Sequence, residues 1–264
     1  MVMHPDTRIV VTRPQQQSQS WINKIQAAGM QHLYIPMLTI SPVGNDKTQA
    51  IKDIVMALDE YSFAIFVSQN AVAYGFDWIE EYWPQFPQDV ICLSVGKKTH
   101  DAVNARLDAY SCAAVDYGDT RMNSEELLEM DALQNVRDKK IVIFRGCGGR
   151  TKLFDMLQAR GAEVQHCELY ERRLPKNALA ELSRNKLNAE RDILTIFSGE
   201  TLINIQKLLL TAKVPNWQLI TIVVPSERVK ILAGELGFKR VETAINATED
   251  SMWQALDKCL SVTK

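Results

Sequence analysis

The sequence predicts an α/β protein built from two similar, doubly wound parallel-sheet domains with a cleft between them. Three observations carry that expectation. Short β-branched runs alternate with helix-period segments along the chain, the helices close at glycines, and one half repeats the order of the other.

The strand candidates are RIVVT (8–12), FAIFVS (63–68), DVICLSV (89–95), SCAAVDY (111–117), KIVIFR (140–145), ILTIFS (193–198) and LITIVV (219–224). Helical patterns lie between them. Trp21, Ile25 and Ala28 share one face of the first, and Leu153, Phe154 and Leu157 share one face of another. AAG (27–29), ARG (159–161) and ELG (235–237) end helices on glycine, the residue that most readily takes a left-handed C-terminal position. Two extended stretches, HLYIPMLTISPVGND (32–46) and EVQHCELYERRLPK (163–176), lack helix period. Each reads equally as a sheet strand with its loop or as a connector running between domains.

The repeat is the stronger signal. Ile9–Gly29 and Ile141–Gly161 share a strand, an arginine (Arg13, Arg145), an amphipathic helix and a closing glycine, with equal spacing from arginine to glycine. IFVSQNAV (65–72) then echoes TIFSGETL (195–202), LSVGKKTHDAV (93–103) echoes IVVPSERVKIL (222–232), and NSEELLEM (123–130) matches EDSMWQAL (249–256).

The chain has 264 residues, 46% hydrophobic and 23% charged, with a formal charge of −2, so it carries no overall basic field for nucleic acid or membrane. No apolar run is long enough for a bilayer, and the N-terminus lacks a secretory leader pattern. A cytoplasmic monomer is the expectation. Cys92, Cys112, Cys147, Cys167 and Cys259 are scattered without a CxxC pair, and His4, His32, His100 and His166 do not complete ligand spacing with them. Reduced thiols and no metal follow.

Ligands of open α/β sheets bind beyond the carboxyl ends of the strands. Those positions hold Thr12, Arg13 and Pro14; Ser68, Gln69 and Asn70; Gly96, Lys97, Lys98 and Thr99; Arg145, Gly146, Gly148, Gly149 and Arg150; Ser198 and Gly199; and Pro225 and Ser226. They are small, hydroxylic or basic, with no carboxylate among them. Each helix N-terminus contributes about 0.3–1 kcal/mol toward an anion, so one carboxylate gains little. A ligand with many carboxylates on several turns could reach roughly −8 kcal/mol, about micromolar. The plainer reading is that serine and threonine at helix starts are N-caps and the glycine run a tight turn.

Other chemistries lack their motifs. There is no GxxxxGK[ST], no GxGxxG at Gly146–Gly149, and no G-x-S-x-G around Ser198. Asp116 is the only aspartate near a strand end that could serve a phospho-receiver. His32 and His166 read as hydrogen-bonded structural histidines. Tyr170, flanked by Glu168, Glu171, Arg172 and Arg173, is the best-placed weak acid, though a tyrosine there also serves as an amphipathic packing residue. Arg13, Arg145 and Arg150 read either as ligand contacts or as partners of nearby carboxylates.

RGCGGRTKLFDMLQARGAEVQHCELYERR (145–173) resembles the most characteristic stretch of the uroporphyrinogen-III synthase family: an R-G-x-G-G-R turn, a helix closing in R-G-A, and an E-x-Y-x-R connector. VTRP with Pro36, FVSQNAV, SVGKKT, IFSGETL and SERVKILAGELGFKRV follow in the family's order, so the likeness covers nearly the whole chain. Val67 and Phe197 stand where the family often has threonine, and His100 where a small residue is usual.

The resemblance implies two flavodoxin- or Rossmann-like domains, residues 1–38 with 171–264 and residues 39–170, joined by a two-stranded connector near 36–42 and 168–175. It implies cyclisation of hydroxymethylbilane to uroporphyrinogen III, with loss of water and inversion of ring D, a lyase reaction of tetrapyrrole (haem, porphyrin) biosynthesis that needs no cofactor. Loss of the ring-A hydroxyl leaves an electrophilic azafulvene, which the protein steers toward a spiro intermediate. In that setting Tyr170 is the candidate to assist hydroxyl departure. Ser68, Thr99, Gly146, Ser198 and Ser226 are candidates to hold carboxylates through backbone amides. Two rival readings stand beside this one: a non-catalytic two-lobed small-molecule binding or sensor protein, and a group-transfer enzyme with a nucleotide-activated donor, which would want an aspartate pair at a strand end.

Overall fold

In this computed structural model residues 7–110, 124–149 and 151–261 are described. The first half of the chain forms β1 (Arg8–Val11), α1 (Gln19–Ala27), β2 (Gln31–Tyr34), β3 (Thr39–Pro42), α2 (Asn45–Met56), β4 (Phe63–Phe66), α3 (Gln69–Tyr82), β5 (Ile91–Ser94), α4 (Lys97–Leu107) and α5 (Ser124–Leu128). The second forms β6 (Lys140–Gly146), α6 (Lys152–Ala159), β7 (Glu163–Arg173), α7 (Ala178–Asn185), β8 (Asp192–Thr195), α8 (Gly199–Thr211), β9 (Thr221–Val224), α9 (Glu227–Glu235), β10 (Arg240–Thr243) and α10 (Glu249–Ser261). Two units result: Met1–Ile40 with Arg173–Lys264, and Ser41–Arg172.

The sheet of the first unit runs β10-β9-β8-β1-β2, and every pair in it is parallel. Val10 lies opposite Leu33 on one side and Leu194 on the other. The run Ile9-Val10-Val11 is fully buried because both faces of the sheet are covered. Ile9 and Val11 pack with Trp21, Ile25, Met252 and Leu256, while Val10 packs with Leu182, Leu202, Ile205 and Leu209. Alternation along a strand therefore feeds two cores.

The second sheet runs β3-β7-β6-β4-β5. On one face Ile141 and Ile143 of β6 pack with Leu127, Leu153 and Leu157. Phe144 stacks on Phe66 at 4.8 Å, and Phe66 stacks on Phe76 of α3 at 5.3 Å. β7-β6-β4-β5 corresponds to β2-β1-β8-β9, so the echoed segments occupy the same sheet positions in both units. The counterpart of β10 would be the strand expected at 111–117, which lies outside the described residues.

The two extended stretches are strands. Segment 32–46 contributes to both sheets, as β2 in the first and β3 in the second, and 163–176 supplies the eleven-residue β7. β3 and β7 are neighbours, and Val43 N–H donates to Leu169 O at 3.2 Å. β10 itself is not among the strands expected from the sequence; its four residues are all half-buried, as fits an edge strand. Among the described residues no helix is long and apolar enough to cross a membrane, and Cys92, Cys147, Cys167 and Cys259 are free thiols.

Candidate functional site

Strand order reverses between β4 and β6 in the second unit, the kind of position where open α/β sheets bind ligands. Ser68 follows β4 and caps α3, its Oγ accepting the Ala71 N–H at 3.1 Å. The same Oγ lies 2.9 Å from the hydroxyl of Tyr170. Tyr170 is 6% exposed, stacks on Tyr74 at 5.7 Å, and accepts the Cys147 N–H on its carbonyl at 2.8 Å. Pairing between β6 and β7 slips between Arg145–Glu168 and Gly146–Tyr170. That bulge re-aims the strand just before the tyrosine.

The turn after β6 is built around Arg145. Its guanidinium, 7% exposed, donates from Nε to Gly146 O at 3.2 Å, from Nη2 to Gly148 O, and from Nη1 to His166 Nε2 at 3.1 Å. Gly149 takes φ +89°, and a Cβ there would sit 3.1 Å from Arg145 Nη2, so glycine is needed both for the backbone and for the approach. Burial, and secondly Arg145, hold the His166 imidazole below its ordinary value.

A carboxylate of the chain itself meets this turn. Gly148 N–H donates to Glu168 Oε1 at 3.3 Å, and Lys47 Nζ lies 2.6 Å from Glu168 Oε2 and 3.3 Å from Cys147 Sγ. Burial alone would raise the Glu168 carboxyl, but Lys47 and the Gly148 amide outweigh it and leave it below the usual range. Lys47 is correspondingly raised, first by its bond to Glu168. Cys147 is raised by burial, with Lys47 opposing, so it rests as a thiol.

Ser68, Arg145, Gly146, Gly148 and Tyr170 line one pocket of about 220 Å³. Lys152, Arg172, His166 and Phe154 line it too, and Lys152 pairs with Glu125 at 3.0 Å. The sequence reading did not place Lys152 or Tyr74 at the site and used Arg172 only as a flank of Tyr170. The one local signal for Lys152 is that it opens α6 next to the glycine turn.

The remaining expected residues fall elsewhere. Gly96 (φ +83°) starts α4 without a side-chain cap, and Lys97 pairs weakly with Asp101 at 3.5 Å. Thr99 is 5% exposed and its N–H is taken by Gly96 O at 3.0 Å. In the first unit Thr12 is fully buried and donates its hydroxyl to Thr195 O at 2.7 Å, a core bond. Arg13 pairs with Glu249 at 2.8 Å and lies 4.2 Å over the Phe197 ring; burial pulls it below its ordinary value while Glu249 works against that. Ser198 caps α8 through Thr201 N–H at 3.1 Å, Gly199 opens that helix, and Ser226 precedes α9 without a side-chain cap bond. Arg150 lies outside the described residues.

A larger hollow, about 840 Å³, lies in the first unit at the amino ends of β8, β9 and β10, lined by Lys186, Lys213 and Leu187 among others. α7 and α8 end beside it, and Arg240 and Glu190 line it as well.

Comparison with known proteins gives a consistent result. Residues 19–254 match the family described as uroporphyrinogen-III synthase HemD. The uroporphyrinogen-III synthase of Escherichia coli (strain K12) is 31% identical over 94% of this chain and 99% of its own. That of Salmonella typhimurium (strain LT2) is also 31% identical, over the same shares. A mutant uroporphyrinogen III synthase from the extremely thermophilic bacterium Thermus thermophilus shares the fold, with TM-score 0.61 and 17% identity over 97% of this chain and 99% of the other. The uroporphyrinogen-III synthetase of Helicobacter pylori 26695 does so with TM-score 0.59 and 18% identity over the same shares. With the family model spanning most of the chain and full-length relatives at this identity, the chain belongs to the uroporphyrinogen-III synthase family.

Proposed function

We propose that the chain closes hydroxymethylbilane to uroporphyrinogen III, expelling water and inverting ring D, with Tyr170 as the group that assists departure of the hydroxyl. Family membership supports the reaction. The observation that supports the residue is the Tyr170 hydroxyl, 2.9 Å from Ser68 Oγ in a pocket lined by Arg145, Lys152 and Arg172.

The proton logic runs along that contact. Either hydroxyl can donate across that contact; when Ser68, which accepts from the α3 N-terminus, gives its own proton to the Tyr170 oxygen, the phenolic proton is left unused. Tyr170 then keeps its O–H proton for a substrate oxygen. Protonating the leaving hydroxyl releases water and leaves the azafulvene cation. Closure with or without inversion is open to that electrophile, so the isomer formed depends on how the rings are held.

At about 220 Å³ the pocket is below the usual 300–1,000 Å³ of small-molecule sites. It suits one pyrrole ring with its acid arms, not the whole bilane. Arg172 and Lys152 are the cations for those arms, Ser68 is the small residue that lets a ring approach, and Gly146 makes room for the Tyr170 ring itself. Gly148 serves through Glu168, which takes its N–H, and Arg145 serves as the internal strut of the turn. Gly96 and Lys97, at the start of α4, are proposed to meet another acid group of the substrate through helix-start amides, and Arg13, Ser198, Gly199 and Ser226 are proposed as an anion-binding set of the first unit. The fully buried Thr12, and Thr99, whose N–H is taken by Gly96 O, offer no such contact.

The test is to mix the purified chain with fresh hydroxymethylbilane and separate the isomers. Type III in excess over the spontaneous type I product is expected. Type I alone, at the uncatalysed rate, would reject the proposal and favour a binding or sensor protein.

A further inference from the structure

Arginine offers only N–H donors, so its contact with His166 fixes the state of the ring. Arg145 Nη1 approaches His166 Nε2 at 3.1 Å, and that nitrogen must therefore be an acceptor, which puts the imidazole proton on Nδ1. The ring is half-buried and tilted against Phe154 at 4.5 Å, which limits its freedom to turn away. What the bond holds is the guanidinium whose other donors tie Gly146 O and Gly148 O. Those two carbonyls shape the turn that leaves room for the Tyr170 ring and delivers the Cys147 N–H to Tyr170 O.

We infer that His166 is a positioning residue of the cyclisation: unprotonated, it anchors Arg145 and with it the glycine turn against which Tyr170 is set, and a proton on its ring releases that anchor. The inference rests on the cyclisation reading above. A proton on Nε2 would set donor against donor and cation against cation, so the contact could not survive it.

The charged groups around the ring bear on where the release falls. Arg145 on β6 opposes protonation, as does burial, whereas Glu168 on β7 and Asp155 on α6 favour it. Lys152, Glu125 and Arg172 complete the charged wall of the same pocket. The balance keeps the ring neutral below the ordinary imidazole value of 6.5, so the effect belongs on the acid side of neutrality.

The experiment compares the wild-type chain with His166→Gln and His166→Leu. kcat and KM for the type III isomer are measured from about pH 5.5 to 8.5, with spontaneous type I subtracted, alongside thermal unfolding. The glutamine carbonyl accepts from Arg145 and does not titrate; leucine does neither. In the wild type kcat should fall on the acid side while KM holds. His166→Gln should recover neutral-pH turnover and shift that acid limb to lower pH. His166→Leu should lose roughly tenfold or more in kcat at neutral pH, the scale of a misplaced catalytic group, with the gap narrowing as the wild type's own acid limb sets in. Nitrogen NMR of the wild-type imidazole should show the Nδ1–H form. An unchanged acid limb in His166→Gln would overturn the inference, as would wild-type kcat in His166→Leu or an Nε2–H ring. So would a lowered melting temperature in His166→Leu without any change in kcat, since that describes packing alone. Should the wild type make no type III isomer, the cyclisation reading fails, and the imidazole spectrum still decides whether His166 anchors Arg145.

Discussion

The ring of Tyr170 occupies the space that a side chain at residue 146 would fill. A Cβ on Gly146 would come 2.5 Å from Tyr170 Cε2 and 2.7 Å from Cζ. Gly146→Ala should therefore displace the ring, break its contact with Ser68, and cost about 1–3 kcal/mol of stability, as overpacking does. Urea unfolding reads the stability and steady-state assay the turnover. A variant with unchanged stability and kcat would show that the ring has room to move.

Asp192 anchors the first sheet from within. Its side chain is fully buried, pairs with Arg8 Nε at 2.8 Å and Nη2 at 3.1 Å, and accepts the Asn188 N–H at 2.7 Å. Asp192→Asn leaves the half-buried Arg8 guanidinium, 17% exposed, without this countercharge. A fully buried pair would cost about 3–5 kcal/mol, and the partial exposure of Arg8 places the loss at or below the lower end of that range. The urea midpoint should fall with an unchanged denaturant slope.

The Lys47–Glu168 pair should matter little to stability and be sensitive to acid and salt. Its side chains are 38% and 31% exposed, so solvent screening keeps its worth within about 0–1 kcal/mol. Glu168 is held below its ordinary 4.5 in the folded chain, so its contribution is complete above that value and is lost as pH falls through the lower, folded one. Glu168→Gln should flatten that acid limb of the melting temperature and reduce its salt dependence. An unaltered limb would assign it to other carboxylates.

Much of the fold was legible because it is written twice. The segments Ile9–Gly29 and Ile141–Gly161 announced β1-α1 and β6-α6, and their equal places in the two sheets follow from that repeat. β7 was harder to read because EVQHCELYERR carries His166, Glu168 and the arginines in place of an apolar run; it is a strand through its pairing with β6, which no local pattern reveals. Tyr170 stood out as a weak acid, and Ser68 as an N-cap, but their contact joins residues 102 apart in sequence. Arg145 looked equally suited to a ligand or a structural partner. Its acceptors include two carbonyls of its own turn, a use of arginine that composition does not signal. The strand-end segments carry no carboxylate of their own, yet Glu168 and Glu249 reach those ends from elsewhere in the chain.

Tyr170→Phe is the most direct test of the whole account, because phenylalanine keeps the stack on Tyr74 and the fit beside Gly146 and removes only the hydroxyl. With general-acid assistance lost, kcat for the type III isomer should drop by roughly 10²-fold or more while KM stays nearly the same. A variant that forms type III at close to the wild-type kcat would contradict the role assigned to that proton.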